Sequence, residues 1–308
     1  MIPGELASGL FLGWAVGRND TANIFGPAVA TSSIRFRTSL ILCAVFVSLG
    51  GLIGSGAGYH TLDVLAGQTI RTAVIVSMAS AITITVMTAA KLPASISQIA
   101  IGSIAGIGFL NNTLDVSALE KIAICWLLTP VLGAVFAILA SILVTSIFSI
   151  LPVTIFGQDI IVKFGLVMAG CYAAYALGAN SVAGITSVFV TSGLITPFIA
   201  SVAGGLCIAT GSLFCQKSAM YSMGSRLVRL DPSSALTVVL AEAVTVHAFA
   251  LAGVPVSTSQ ALIGAMIGLG FMRGMQTIRF TRLILMLAGW VLTPAAAFII
   301  ALILDKII

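Results

Sequence analysis

The chain has 308 residues, of which 59% are hydrophobic and only 7% are charged. Because a soluble domain carries about 25% charged residues, this composition excludes a soluble protein and indicates an integral membrane protein. The net charge of +5 does not indicate nucleic-acid binding, since the basic residues lie singly or in small groups in loops between apolar runs.

Apolar runs of about 20 residues, each long enough to cross a membrane as a helix, follow one another along the whole chain. Barrel strands would need alternating apolar and polar residues, so continuous runs favour helices. We therefore predict an all-α integral membrane protein with five segments in each half. The segments lie at 5–34, 38–58, 70–90, 92–110 and 121–150, and then at 160–193, 195–221, 233–252, 254–272 and 281–304.

Two short polar motifs interrupt the first segment of each half. Residues 17–23 read Gly-Arg-Asn-Asp-Thr-Ala-Asn, and residues 178–184 read Gly-Ala-Asn-Ser-Val-Ala-Gly. Glycine and side-chain oxygens within a membrane span are typical of a broken helix that lines a cavity, which in transporters is often the substrate site. We predict a broken helix at each motif.

The second half of the chain repeats the first at a nearly constant offset. The matched pairs are Asn19 and Asn180, Pro93 and Pro255, and Trp126 and Trp290, at offsets of 161, 162 and 164 residues. An odd number of segments in each half places the halves in opposite orientations. We predict an inverted repeat of residues 1–150 and 151–308 with broken or re-entrant helices, an architecture typical of secondary transporters.

The basic residues of the loops are divided unequally between the two faces of the membrane. Ten follow odd-numbered segments: Arg35, Arg37, Lys91, Lys163, Lys217, Arg226, Arg229, Arg273, Arg279 and Arg282. Two follow even-numbered segments: Arg71 and Lys121. The positive-inside rule then places the odd loops in the cytoplasm and both termini outside, as in a multi-pass protein of the cell membrane.

Serine and glutamine follow Pro93 and Pro255 at the same spacing. The residues are Ser95, Ser97 and Gln98 in the first half and Ser257, Ser259 and Gln260 in the second. Proline suits the first position of a helix, so we predict that each proline starts one. Free N–H groups, hydroxyls and the positive end of the helix dipole then form an anion site. The alternative is that the serines only cap the helices.

The first polar motif carries a different chemistry. Asn19, Asp20 and Asn23 supply oxygen atoms of the kind that hard cations such as sodium bind. An aspartate at membrane depth is costly and usually functional. Asp20 could instead pair with the adjacent Arg18, or Arg18 could face the anion directly, since a guanidinium group suits oxyanions.

Glu242 and His247 are further ionisable residues, in the eighth predicted segment. They could relay protons, hold a cation, or take part in helix packing. The sequence does not decide among these roles.

The two kinds of motif resemble signatures of the inorganic phosphate transporter (PiT) family. Residues 17–26 are similar to its GANDVANxxG signature, 178–181 to the second copy of GAND, and 255–260 to its PVSTT signature. The resemblance covers nearly the whole chain and implies a cation-coupled importer of an inorganic oxyanion. It further implies that Asn19, Asp20, Asn23 and Asn180 serve the cation sites. The anion would be surrounded by Ser95, Ser97, Gln98, Ser257, Thr258, Ser259 and Gln260.

The chain also departs from the family pattern. Ser181 stands where the second GAND motif has its aspartate, and Gly184 where an asparagine is usual. Arg18 replaces a small residue, and Val47 replaces a glutamate common in the family. With fewer acidic residues, Ser181 would have to help hold a cation through neutral oxygens alone. The coupling ion is therefore either sodium, held at Asp20, Asn19 and Asn23, or a proton.

From these features we expect a secondary active transporter that imports phosphate by cation symport, with Arg18 among the anion ligands. A sulfate permease of the same family and an anion channel are the alternatives. Nothing in the sequence indicates an enzyme or a bound cofactor: there is no nucleotide loop, no histidine cluster and no nucleophile beside a base. The expected partners are the anion, the coupling cation and the lipid bilayer, with a homodimer left open.

Overall fold

The computed structural model describes residues 6–65, 68–89, 94–150, 152–225, 230–273 and 280–308. These residues form twelve α-helices and no strand, as the all-α prediction requires. The helices are α1 (Ala7–Ala30), α2 (Phe36–Gly54), α3 (Gly56–Leu65), α4 (Ile70–Ala89), α5 (Ile96–Leu110), α6 (Val116–Ile150), α7 (Ile155–Thr191), α8 (Pro197–Leu213), α9 (Lys217–Ser225), α10 (Pro232–Leu251), α11 (Thr258–Arg273) and α12 (Phe280–Ile307).

Each of the ten predicted segments corresponds to one helix or to a pair of helices. The second segment is the pair α2 and α3, and the seventh is the pair α8 and α9, which are bent by 90° at their break. Six helices of the described ranges are long and apolar enough to cross a membrane, or seven if this bent pair is one span. The protein is thus a multi-pass membrane protein.

The predicted helix breaks at the two polar motifs are wrong, because α1 and α7 run through them without interruption. The motif glycines serve close packing instead. A Cβ atom on Gly17 would overlap the carbonyl oxygen of Ile208, and one on Gly178 would overlap that of Val47. The breaks lie one segment further on, at Ser55 and at residues 214–216.

The helices α4 and α5 begin and end at the same face of the bundle, as a re-entrant hairpin does. Just after α5, the N–H of Asp115 donates to the carbonyl oxygen of Leu65, which ends α3 shortly before α4 begins (3.0 Å). In the second half, Arg273 at the end of α11 pairs with Asp231 at the start of α10 (2.7 Å). Each half therefore contains one such hairpin, and the opposite orientation of the halves stays a prediction.

The half-helices α5 and α11 have 15 and 16 residues. At about 1.5 Å per residue they are shorter than the hydrocarbon core of a bilayer, which is about 30 Å thick. Both helices therefore start at depth within the protein.

The halves pack on each other through equivalent glycines. A Cβ atom on Gly102 of α5 would overlap the backbone of Pro294 in α12, and one on Gly264 of α11 would overlap that of Pro130 in α6. In the same way, α2 packs on α7 at Gly50, and α8 packs on α1 at Gly211. The division into two repeats, residues 1–150 and 151–308, stays a prediction.

We expect Gly50→Ala and Gly211→Ala to lower the thermal stability of the purified protein. An added Cβ atom would overlap the carbonyl oxygen of Tyr175 or Trp14, and backbone atoms cannot move aside cheaply. Overpacking of this kind costs about 1–3 kcal/mol. The measurement is the melting temperature in detergent. Gly56→Ala is the matched control, since a Cβ atom there meets nothing within 4 Å. Equal melting temperatures for all three variants would contradict the packing role.

Candidate anion and cation site

The N-termini of α5 and α11 meet inside the protein. The Ser97 hydroxyl, in the first turn of α5, donates to the carbonyl oxygen of Val256, two residues before α11 begins (3.0 Å). Each N-terminus carries backbone N–H groups without a helical partner and the positive end of a helix dipole. Two such ends, one from each half, form an arrangement suited to an anion.

The prediction that Pro255 starts a helix is wrong, because α11 begins at Thr258. Side chains of other helices hold the backbone before it. The indole N–H of Trp126 donates to the carbonyl oxygen of Pro255 (3.1 Å). Asn180 donates to the carbonyl oxygen of Val256 (2.8 Å) and accepts from its N–H (2.9 Å).

Several residues used in the sequence predictions lie outside the described residues. They are Pro93, Lys91, Arg226, Arg229 and Arg279.

The two helix starts differ in their capping. In α11, the hydroxyl of Ser257 accepts from the N–H of Gln260 (3.3 Å) and shares a hydrogen bond with Ser259 (2.9 Å). In α5, Ser95 occupies the N-cap position but makes no capping hydrogen bond, and its buried hydroxyl has no partner among the described residues. Simple capping therefore accounts for Ser257 but not for Ser95. The start of α5 keeps its donors available.

Gln98 and Gln260 lie one turn into the two half-helices. Each side chain is 2% exposed, and each amide oxygen lacks a hydrogen-bond partner within the described residues. Buried polar atoms are nearly always satisfied, so an orphaned pair at equivalent positions needs an explanation. A ligand between the helix starts would supply one.

The polar side chains of the first motif gather around Asp20, which is only 8% exposed. The amides of Asn19 and Asn23 each donate to its carboxylate (3.2 Å). Asn23 also donates to the hydroxyl of Thr258, the first residue of α11 (3.3 Å). The predicted cation ligands are thus in direct contact with the predicted anion ligands.

Arg18 lies apart from this cluster. Its guanidinium carbon is 5.2 Å from the ring centre of Trp14, and no ion pair joins it to Asp20 in the described part of the chain. With Asn19 it lines a cavity of about 610 Å³, together with Gln216 and other residues. The alternative in which Arg18 neutralises Asp20 is therefore not observed.

Ser97 and Ser181 line a second, much smaller cavity with Gly184. Its volume of about 10 Å³ holds about one water molecule. Residues from the two halves therefore converge here beside the start of α5, and an oxyanion would fit only if α1, α5 and α7 moved apart.

Asn180 and Trp126 have positioning contacts that the sequence did not reveal. The repeat marked both residues, yet it did not show that their side chains would hold the backbone at Val256 and Pro255. The first-half counterpart Asn19 makes no such clamp and is exposed. A cation role for Asn180 and Ser181 stays a prediction.

Comparison with known proteins shows which proteins this chain is similar to. A family model described as the phosphate transporter family matches residues 16–301. A chain from Methanocaldococcus jannaschii, provisionally named a phosphate permease, is 28% identical over 304 residues, covering 99% of this chain and 97% of that one. The sulfate permease CysP of Bacillus subtilis is 25% identical over 293 residues, which cover 92% of this chain and 82% of CysP. A solved structure titled the sodium-dependent phosphate transporter matches with a TM-score of 0.81 at 20% identity, covering 99% of this chain and 98% of that chain.

The membrane-spanning helices and the paired helix starts, with these matches, define a membrane transport protein. The chain belongs to the phosphate transporter family, since the family model matches most of its length. This confirms the resemblance found in the sequence motifs. The likeness to the solved structure shows that the two proteins share a fold.

We expect Asn180→Ala to lower both the melting temperature and the affinity for the transported anion. The change leaves the N–H of Val256 buried without its partner, at a cost of about 1–3 kcal/mol. It also loosens the start of α11. Asn19→Ala is the matched control for stability, because Asn19 is exposed and its side chain hydrogen-bonds only Asp20 among the described residues. Similar melting temperatures for the two variants would count against the clamp.

Proposed function

We propose that this protein imports inorganic phosphate across the cell membrane by secondary active transport coupled to sodium. The observation that carries the proposal is the contact between Asn23 and Thr258 (3.3 Å). It joins the polar cluster of Asp20, Asn19 and Asn23 to the start of α11, so that cation and anion would bind side by side. The shared fold with a sodium-dependent phosphate transporter supports sodium as the coupling ion.

The uncapped start of α5 would bind the anion first. Ser95 and the first-turn N–H groups supply donors, and the dipoles of α5 and α11 favour negative charge. No carboxylate takes part in this pocket, which is lined by Ser97, Ser181 and apolar neighbours. Binding would then widen the small cavity that lies between α1, α5 and α7.

Phosphate is preferred over sulfate because of the two orphaned acceptors. At neutral pH phosphate carries at least one O–H group, whereas sulfate carries none. The amide oxygens of Gln98 and Gln260 can accept a hydrogen bond from such a group. The sulfate permease among the relatives keeps sulfate as a second candidate.

Sodium at Asp20 would cancel a buried negative charge close to the anion. Within the bilayer an uncompensated carboxylate is costly, so cation binding and anion binding would favour each other. An anion channel would not need such a residue, and a coupled carrier does. The homodimer stays a prediction.

We expect Gln98→Ala and Gln260→Ala each to weaken phosphate binding about tenfold or more, because a hydrogen bond to a charged group is worth roughly 1.5–3 kcal/mol. The measurement is the half-saturating phosphate concentration for uptake into proteoliposomes. Gln158→Ala, near the start of α7, is the control. Wild-type affinity in both site variants would count against the anion site. Equal losses for phosphate and sulfate would remove the argument for phosphate.

We expect Asp20→Asn to abolish sodium-driven uptake, whereas Ser181→Ala leaves part of it. Asp20 is the carboxylate of the first motif, and Ser181 can offer only a neutral oxygen. Ser181→Asp should raise the dependence on the cation. The three variants are compared in uptake driven by a sodium gradient and, separately, by a proton gradient. Normal transport by Asp20→Asn together with an inactive Ser181→Ala would reverse the assignment of the two halves.

A further inference from the structure

Glu242 is a buried carboxyl group that the proposed site does not use. It lies in the middle of α10 with 1% of its surface exposed, and neither carboxylate oxygen has a hydrogen-bond partner in the described part of the chain. An ionised carboxylate without a partner is strongly unfavourable in such surroundings. The group must therefore bind a cation of some kind.

The neighbours of Glu242 along α10 favour a proton over a metal ion. Buried apolar residues surround it, including Val238, Ala241 and Val246. The hydroxyl of Thr245 is already used, since it donates to the carbonyl oxygen of Ala241 (2.7 Å). A hard metal cation needs several oxygen ligands, and this stretch of α10 offers few. A proton needs only the carboxyl group itself.

Charged groups on the helices around α10 leave Glu242 without a positive partner. The helix packs against α1, α3, α6, α7 and α11. Their titratable residues, with His247 of α10 itself, are Arg18, Asp20, Tyr59, His60, Asp63, Glu120, Lys121, Cys125, Asp159, Lys163, Cys171, Tyr172, Tyr175 and Arg273. Among these described groups, none forms an ion pair or a hydrogen bond with the carboxyl group of Glu242. His247 instead hydrogen-bonds the hydroxyl of Tyr172 (2.8 Å).

The second half carries this carboxylate where the first half has none at the matching position. The first-half counterpart of Glu242 is Ser80, at the repeat offset of 162 residues, and Ser80 donates to Ser103 of α5 (3.1 Å). The counterpart of Ser103 is Ala265, which cannot accept a side-chain hydrogen bond. The second half therefore places a carboxyl group in a hairpin where the first half has a pair of hydroxyls.

We propose that Glu242 binds a proton during the transport cycle and that this proton travels with phosphate. The inference rests on the proposed function, phosphate import. The carboxyl group holds a proton while it is buried in this conformation. When the hairpin of α10 and α11 moves and admits water, the carboxyl group releases that proton to the water and becomes a carboxylate. The second half thus contributes to coupling through α10, although Ser181 has no charge to contribute.

Infrared spectroscopy of the full-length protein in liposomes tests the protonation directly. We expect a carboxylic-acid C=O band at neutral pH that is absent in Glu242→Gln, while Glu120→Gln, at an exposed position of α6, leaves it unchanged. Glu242→Asp keeps a carboxyl group and should move the band, which retains the test if Glu242→Gln does not fold. The proposal would be overturned if Glu242→Gln kept the same carboxylic-acid band as the wild-type protein. It would also be overturned if the wild-type band disappeared when sodium was added.

Transport measurements separate this inference from the proposed function. With equal sodium on both sides, a pH gradient should stimulate phosphate uptake by wild-type protein and should not stimulate Glu242→Gln, which keeps phosphate counterflow. Comparing the two proteins at the same pH values cancels changes in phosphate ionisation. Unchanged stimulation in Glu242→Gln with normal counterflow would overturn the role of Glu242. Absent phosphate counterflow in wild type would instead contradict the proposed function.

Discussion

The unsatisfied backbone N–H groups at the start of α5 and α11 are the constraint on which the rest of the structure depends. Lipid cannot accept their hydrogen bonds, so helices that start at membrane depth must start inside protein. The neighbouring helices therefore hold the chain ahead of α11 from several sides: Asn180 clamps Val256, Ser97 reaches the same residue, and Trp126 binds Pro255. What remains free at the start of α5 is an array of donors enclosed by two halves of the chain.

Neither half can form this site alone. The α5 helix packs on α12 through Gly102, and α11 packs on α6 through Gly264, so each half-helix rests on the other half of the chain. Movement of one half against the other would therefore open or close the gap between the two helix starts. The hydrogen bond from Asn23 to Thr258 links the start of α11 to the polar side chains around Asp20. The proposed coupling between cation and anion depends on this link, because Asn23 contacts both Asp20 and the first residue of α11.

Charge is distributed less symmetrically than the backbone. The first half has Asp20 in its motif, whereas the second half has Ser181 there and Glu242 on α10. Both acidic residues are buried, and each needs a cation to offset its charge. On the two proposals made above, similar helices would hold two different cation chemistries: sodium at Asp20 beside two asparagines, and a proton on a carboxyl group in apolar surroundings at Glu242. Arg18 belongs to neither, because it lies against Trp14 at the large cavity.

The amino-acid sequence by itself determined the all-α membrane fold, the ten segments and the oxygen-rich and serine-rich motifs. These features depend on hydropathy and on spacing along the chain, which are local properties. The tertiary structure decided what individual residues do. Glycine in a membrane helix can mark a break or a close contact, and only the position of the Ile208 backbone showed that Gly17 is a contact. Pro255 can start a helix or precede one, and the bonds from Trp126 and Asn180 decided that α11 begins at Thr258. Such choices depend on atoms that are distant in the chain, so no local pattern contains them.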